Sequence, residues 1–216
     1  MKNNYAVFGL GAFGSRLAVE LAKAGHNVMA IDQDASIIEE IKDKVTEAVV
    51  ADISNPEVIR EIDVAKFNTI ILGMSSHFED AILALTLLKQ EGAKNVIAKA
   101  NNPIQRQILL RLGADEIIQP DQDVAERLAK RLTMTNVTDM FKFKGSTIAD
   151  VIVPESMDGS SVRTLDLRNK YNLTILLIKK PGSEKETVWD PNTILNTGDE
   201  LTIIGQEKDI LRVFKK

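Results

Sequence analysis

The chain's architecture turns on residues 5–14, Tyr-Ala-Val-Phe-Gly-Leu-Gly-Ala-Phe-Gly. Tyr5–Gly9 has the apolar run of a buried strand. Phe13–Ala24 then carries Leu17, Ala18, Leu21 and Ala22 at helical spacing. Between them Gly9, Gly11 and Gly14 fall in the order G-x-G-x-x-G. In a strand–turn–helix setting the first glycine permits a tight turn and the second lets a pyrophosphate approach the backbone. The third lets helix and strand pack closely. The helix start offers unpaired N–H groups and a positive dipole end to phosphate. The alternative is a tight turn with no ligand.

The strand–helix alternation continues on the C-terminal side of this motif. Gly25 is placed to end the helix, and Asn27–Ile31 reads as a second strand. Asp32, at its end, is placed to accept hydrogen bonds from ribose hydroxyls and to repel a 2′-phosphate, or else to serve as a cap. Asp34 is a second acid nearby and the lesser candidate for the ribose, since its place suits starting the next helix. Ser36 and Glu39 have capping-box spacing. Ala48–Ala51 reads as a strand, and Ser54, Pro56 and Glu57 open a helix. Asn68–Leu72 reads as a strand, and Ser76 with Glu79 caps a helix running to Glu91. Val96–Ala98 follows as a strand, and Asn102 with Pro103 starts a helix ending near Gly113. Glu116–Ile118 is a sixth strand, and Asp123 with Glu126 begins a helix to about Met134. Six strands alternating with helices predict a Rossmann-type α/β domain over residues 1–134, a doubly wound parallel sheet.

Residues 135–216 change character to a small α+β unit. Val137–Lys144, Thr147–Pro154, Leu173–Lys180, Glu186–Trp189 and Glu200–Gly205 read as strands. Val162–Lys170 and Lys208–Phe214 read as helices.

Topology extends the candidate nucleotide site. Residues past the carboxyl ends of parallel strands face the crevice. That adds Ala12, Phe13 and Gln33 beside the motif and its acid, Met74 and Ser75 after strand four, and Lys99 after strand five. Asp52 and Ile53, after strand three, either frame the adenine or form a turn and a helix start. Lys99 either reaches phosphate or is a solvated lysine. His77 reads as an exposed residue in a helix first turn.

The 216 residues have 44% hydrophobic content and a formal net charge of −4. The acidic balance argues against nucleic acid as a partner. With no cysteine, disulfides and thiolate chemistry are excluded. Two histidines, His26 and His77, are too few for a histidine-built metal site. No signal segment and no membrane-length apolar run is evident, so a cytoplasmic location is expected. An enzyme is the weaker reading. The second unit has no histidine, and neither a nucleophile elbow nor a P-loop appears. A nucleotide site without chemistry points to sensing, in which a ligand discriminates between two conformations. A small NAD-dependent oxidoreductase or redox sensor is the alternative.

Four stretches carry a resemblance: Ala6-Val-Phe-Gly-Leu-Gly-Ala-Phe-Gly14, Ala98-Lys-Ala-Asn-Asn102, Leu112-Gly-Ala-Asp-Glu-Ile-Ile-Gln-Pro-Asp121 and Leu165-Asp-Leu-Arg-Asn-Lys-Tyr171. Together they resemble Trk/Ktr-type potassium uptake regulatory subunits over nearly the whole chain. The resemblance implies an RCK N-terminal domain and a smaller RCK C-terminal domain. It implies a homodimer assembling into a larger ring, with an octamer expected, on the cytoplasmic face of a potassium channel-like membrane transporter. Regulation of a cation/proton antiporter is a further alternative. The ligand implied is an adenine nucleotide (ADP, ATP or AMP) or NAD(H), gating ion flow through a conformational change. Gly9, Gly11 and Gly14 match the phosphate loop, Asp32 the ribose acid, and Lys99 a basic position near the phosphates. Asp121 matches an acidic position that binds a divalent cation in some relatives, and it also reads as a helix-start charge beside Pro120. Arg168 lies where some relatives bind cyclic di-AMP, and it equally suits a helix-end salt bridge. Many ATP-responsive relatives have arginine where this chain has Ala12, which shifts weight to ADP, AMP or NAD(H). The helices over Ala81–Glu91 and Pro103–Leu112 carry Ile82, Leu85, Leu88, Ile104, Ile108 and Leu112, which pack against neighbouring subunits or else cover the sheet.

Overall fold

The computed structural model describes residues 2–74 and 78–214. They form two compact units, Met1–Gln122 and Asp123–Lys216.

The first unit alternates strand and helix: β1 (Asn4–Phe8), α1 (Ala12–Lys23), β2 (Asn27–Asp32), α2 (Ala35–Ile41), β3 (Glu47–Val50), α3 (Pro56–Glu61), β4 (Thr69–Leu72), α4 (Phe78–Gln90), β5 (Val96–Lys99), α5 (Pro103–Arg111) and β6 (Glu116–Ile118). The six strands are all parallel, in the order β3-β2-β1-β4-β5-β6. That is the doubly wound Rossmann order.

The pleat of β1 shows how its apolar run fills two cores. Ala6 and Phe8 join one cluster with Ile31, Leu72, Leu85 and Leu109, while Val7 joins the other with Ala18, Val28 and Ile71. Successive side chains point to opposite faces, and helices cover both, so the strand is apolar on both faces from Ala6 to Phe8. Leu85 and Leu88 of α4 lie in that core, which assigns them to covering the sheet. Ile104 of α5 is 70% exposed.

Helix starts follow local chemistry. Asp34, not Ser36, caps α2, accepting from the Ser36 N–H at 2.8 Å. The expected capping box is therefore displaced by an acid two residues earlier. Asn55 caps α3 and Asn102 caps α5, each with proline in the first helical turn.

Helix α6 (Pro120–Thr133) begins in the first unit and continues into the second. It starts earlier than the expected Asp123, because the fixed φ of Pro120 suits the first helical position. The contacts divide the chain within this helix and not after residue 134. Arg127 and Lys130 are ion-paired with Asp139 at 3.6 Å and Glu207 at 2.6 Å, which ties this part of α6 to the second unit. No residue of α6 is fully buried, and Val124, Leu128 and Leu132 form an exposed stripe at four-residue spacing.

The second unit comprises β7 (Val137–Phe143), β8 (Ser146–Ile152), β9 (Ser160–Ser161), α7 (Val162–Leu165), α8 (Leu167–Tyr171), β10 (Thr174–Lys179), β11 (Glu186–Val188), β12 (Ile194–Leu195), β13 (Glu200–Gly205) and α9 (Glu207–Phe214). Five strands pair antiparallel as β11-β10-β13-β8-β7, and β9 pairs with β12. Val151, Ile178, Leu201, Ile203, Ile210 and Phe214 form the core. The helix expected over Val162–Lys170 is broken at Asp166, whose φ of +47° is left-handed, so two short helices replace one. Asp199 is 1% exposed and accepts from the Lys180 ammonium at 2.6 Å and from the Asn196 N–H at 2.8 Å. Among the described residues, no helix is long and apolar enough to cross a membrane.

Candidate functional site

In the 3-2-1-4-5-6 order, connections from the neighbours β1 and β4 leave the sheet in opposite directions. A crevice opens where they part, beyond the carboxyl ends of the strands. The glycine turn forms one wall. Gly9 has φ +84°, and its N–H bonds to the Ile31 carbonyl at 2.9 Å. A Cβ there would lie 2.8 Å from the Met74 nitrogen. A Cβ on Gly14 would lie 2.0 Å from the Gly9 carbonyl oxygen, so α1 can approach β1 only with glycine at that position. Gly73, after β4, completes the close approach: its N–H bonds to the Phe8 carbonyl at 2.7 Å.

Gly11 is different. A Cβ there would meet nothing within 4 Å, and the backbone has an ordinary φ of −59°. Packing within the chain does not require glycine at this position. It caps α1 with no side-chain bond, and no acid occupies the first turn of that helix. The first N–H groups of α1 are thus left to a ligand or to water.

Asp32 adjoins this turn at the end of the neighbouring strand β2. One carboxylate oxygen accepts from the Leu10 N–H at 2.6 Å and the other from the Asp34 N–H at 2.9 Å. A carboxylate has about four acceptor sites, so lone pairs remain for ribose hydroxyls. Asp32 therefore fastens the glycine loop to the end of β2 as well as facing the crevice.

The crevice has a volume of about 400 Å³. It brings together Gly9, Gly11, Ala12, Phe13, Asp32, Gln33, Asp52, Ile53, Met74, Lys99 and Asp121. Gly14 lies beneath it. Ser75 falls outside the described residues, as do His77 and the Ser76 cap. Asp52 accepts from the hydroxyl and N–H of Ser54 at 2.7 and 2.9 Å, and these bonds hold its carboxyl below the usual aspartate range. Ile53 is buried in the core below. Asp34 is likewise held low, by the Ser36 hydroxyl and then its N–H. Ile31, Ile37, Ala51, Gly73 and Asp80 complete the lining. Sequence reasoning missed Gly73 and Asp80. The signal for both was their position: a glycine closing the strand beside β1, and an acid in the first turn of the following helix.

Lys99 is the one cation among the described lining residues. Its ammonium bonds to the Asp121 carboxylate at 2.9 Å. Arg16 does not substitute for the arginine absent at Ala12: its side chain is 77% exposed, pairs with Glu20 and does not line the crevice. Among the described residues no three His, Asp or Glu side chains gather as a metal-ligand set, and Asp121 faces an ammonium.

Arg168 is in the second unit, exposed on α8. It lines a separate groove of about 240 Å³ with Arg163, Trp189 and Pro191, and no ion pair engages it among the described residues.

The glycine turn, the acid closing β2 and the strand order together define a Rossmann-type domain with an open nucleotide crevice. Residues 5–120 match the TrkA-N domain and residues 147–216 the TrkA-C domain, and the chain belongs to this family. It is 29% identical over 219 residues to Ktr system potassium uptake protein C of Bacillus subtilis, covering 100% of this chain and 98% of that protein. It is 30% identical over 209 residues to Ktr system potassium uptake protein A of the same organism, covering 96% and 94%. Among solved structures, the GsuK channel bound to NAD matches with a TM-score of 0.67 at 16% identity, over 99% of this chain and 39% of that one. GsuK bound to ADP matches with a TM-score of 0.53 at 15% identity, over 63% and 36%. These two likenesses speak for the fold, and this chain spans well under half of the channel's length.

Proposed function

We propose that this chain is a nucleotide-binding regulatory subunit of a potassium uptake system, and that it acts by conformational change without catalysis. The observation that carries the reading is Gly11, a glycine that packing does not require, at the uncapped start of a helix facing a crevice. Likeness over nearly the full chain to two Ktr potassium uptake proteins supplies the potassium system.

In this reading the first N–H groups of α1 receive phosphate, Asp32 takes ribose hydroxyls, and Ala51, Ile53 and Ile37 offer apolar surface to the base. The ligand is an adenine nucleotide or NAD(H). The bound ligand stabilises one conformation over another in proportion to its differential affinity, which biases a membrane-embedded partner. The chain works as a homodimer within a larger ring at the cytoplasmic face of that partner. The exposed Val124–Leu128–Leu132 stripe of α6 is a surface such assembly would cover.

Calorimetric titration of the full chain with ATP, ADP, AMP, NAD and NADH tests the reading. Binding of at least one, weakened by Asp32→Ala, is expected; failure of all five to bind refutes it. Cyclic di-AMP in the Arg168 groove is a second reading for the C-terminal unit, favoured by two arginines beside Trp189. Binding of cyclic di-AMP that is lost in Arg168→Ala and kept in Asp32→Ala supports it, and no binding refutes it.

A further inference from the structure

The crevice is electrostatically lopsided for a site that takes phosphates. Among the described residues, Asp32, Asp34, Asp52, Asp80 and Asp121 line it, against the single cation Lys99. The cation is already engaged. Lys99 is only 13% exposed and held at the end of β5, where the Lys99–Ile118 pairing with β6 fixes its backbone. Its partner Asp121 is 83% exposed, on the second residue of α6.

The two ends of this pair are therefore unequal. Lys99 has little room to find water or another partner. Asp121 can turn into solvent at small cost, and the helix start it occupies favours a carboxylate with or without the lysine. An incoming phosphate group would meet a largely buried lysine side chain and an exposed carboxylate.

We propose that Asp121 is a built-in competitor for the Lys99 ammonium, and that this competition sets the crevice's preference among phosphorylated ligands. The proposal rests on the nucleotide reading above and deepens it. A ligand gains the Lys99 interaction only by displacing Asp121, and a displaced carboxylate stays close enough to repel further phosphate charge. Ligands with fewer charges near Lys99, such as AMP and NAD(H), are penalised least, and ATP is penalised most. With Ala12 supplying no charge and Arg16 turned to Glu20, no other cation of the crevice offsets this among the described residues.

The test is calorimetry on the full chain with AMP, ADP and ATP, each in EDTA and again with magnesium. The proteins compared are wild type, Asp121→Asn, Lys99→Met, the double variant Asp121→Asn with Lys99→Met, and Asp123→Asn. Asp123 is a neighbour on the same helix that does not line the crevice, so its substitution controls for net charge. An exposed ion pair is worth up to about 1 kcal/mol, which is roughly a fivefold change in affinity.

Asp121→Asn is therefore expected to tighten ADP about three- to fivefold in EDTA, with a larger gain for ATP and a smaller one for AMP. Asp123→Asn should leave all three unchanged, and adding Asp121→Asn to Lys99→Met should bring no gain over Lys99→Met alone. Unchanged affinities in Asp121→Asn overturn the proposal while leaving the nucleotide site standing. So does an equal gain in Asp123→Asn. A loss of affinity confined to magnesium would overturn it in favour of a metal-ligand role. If no variant binds any nucleotide, the nucleotide reading falls and takes the proposal with it. In the ligand-free protein, Asp121→Asn should also shift the Lys99 side-chain NMR signal, and an unmoved signal would refute the pairing directly.

Discussion

Gly11 and Gly14 sit three residues apart in one motif, yet adding the same methyl group to each should do opposite things. At Gly14 the new Cβ would lie 2.0 Å from the Gly9 carbonyl oxygen and 3.1 Å from its carbon. Comfortable contact is about 3.5 Å or more, and the obstacle is backbone that cannot rotate away. Overpacking costs about 1–3 kcal/mol, here at the upper end, and alanine returns about 1 kcal/mol of helix propensity. Gly14→Ala should therefore destabilise the protein by about 2 kcal/mol and lower its melting temperature by roughly 5 °C. At Gly11 nothing lies within 4 Å, and the φ of −59° suits alanine. The entropy gain of about 0.4–1 kcal/mol is offset by a poorer helix cap of similar size. Melting should thus stay within about 2 °C of wild type. The methyl group would stand where phosphate must approach the α1 N–H groups, so nucleotide affinity should fall at least about tenfold, or 1.4 kcal/mol. Thermal melts and calorimetry on both variants check this. A Gly11→Ala protein that binds as tightly as wild type would refute the assignment of Gly11 to the ligand. A Gly14→Ala protein that melts like wild type would refute the close-packing account.

Asp32→Ala should cost about 2 kcal/mol in urea unfolding even without ligand, because the Leu10 and Asp34 N–H groups lose their acceptor. A silent variant would show that water replaces it freely. Lys180→Met should destabilise the protein by about 2 kcal/mol, since Asp199 is buried and keeps only the Asn196 N–H. Unfolding free energies equal to wild type would dismiss the pair as structural. Asp158 accepts from the N–H and the hydroxyl of Thr197, bonds that hold its carboxyl below the ordinary aspartate value. A lowered folded pKa contributes stability above the unfolded value of about 3.9 that is lost as pH falls through the folded one. Acid titration of Asp158→Asn should accordingly show a shallower loss of stability below about pH 4 than wild type, and parallel curves would count against the bond.

The parallel sheet was legible because β1, β2, β4 and β5 are buried on both faces and carry unbroken apolar runs, with glycine or helix-start residues between them. The strands of the second unit were equally plain. What escaped was decided by single contacts. The two-residue strands β9 and β12 are too short to show any period. The break at Asp166 depends on a left-handed residue inside a helical pattern. The cap of α2 depends on which of two neighbouring polar side chains reaches the Ser36 N–H. At the site, topology alone brought Met74 and Lys99 to the crevice. Lys99 and Asp121 were each singled out from the sequence, but their pairing was not, because nothing in the intervening residues records that β5 and the start of α6 end side by side.

The double duty of Asp32 constrains how this crevice can change. Dinucleotide sites are commonly re-tuned toward 2′-phosphorylated ligands by removing the acid at the end of the second strand, which relieves charge repulsion. Here the same carboxylate holds the Leu10 and Asp34 N–H groups. Exchanging it for a neutral or basic residue would slacken the loop that positions the pyrophosphate. A change of ligand preference would therefore need a second substitution that re-anchors the Leu10 N–H. A lineage crossing from one ligand class to the other would have to acquire that anchor first.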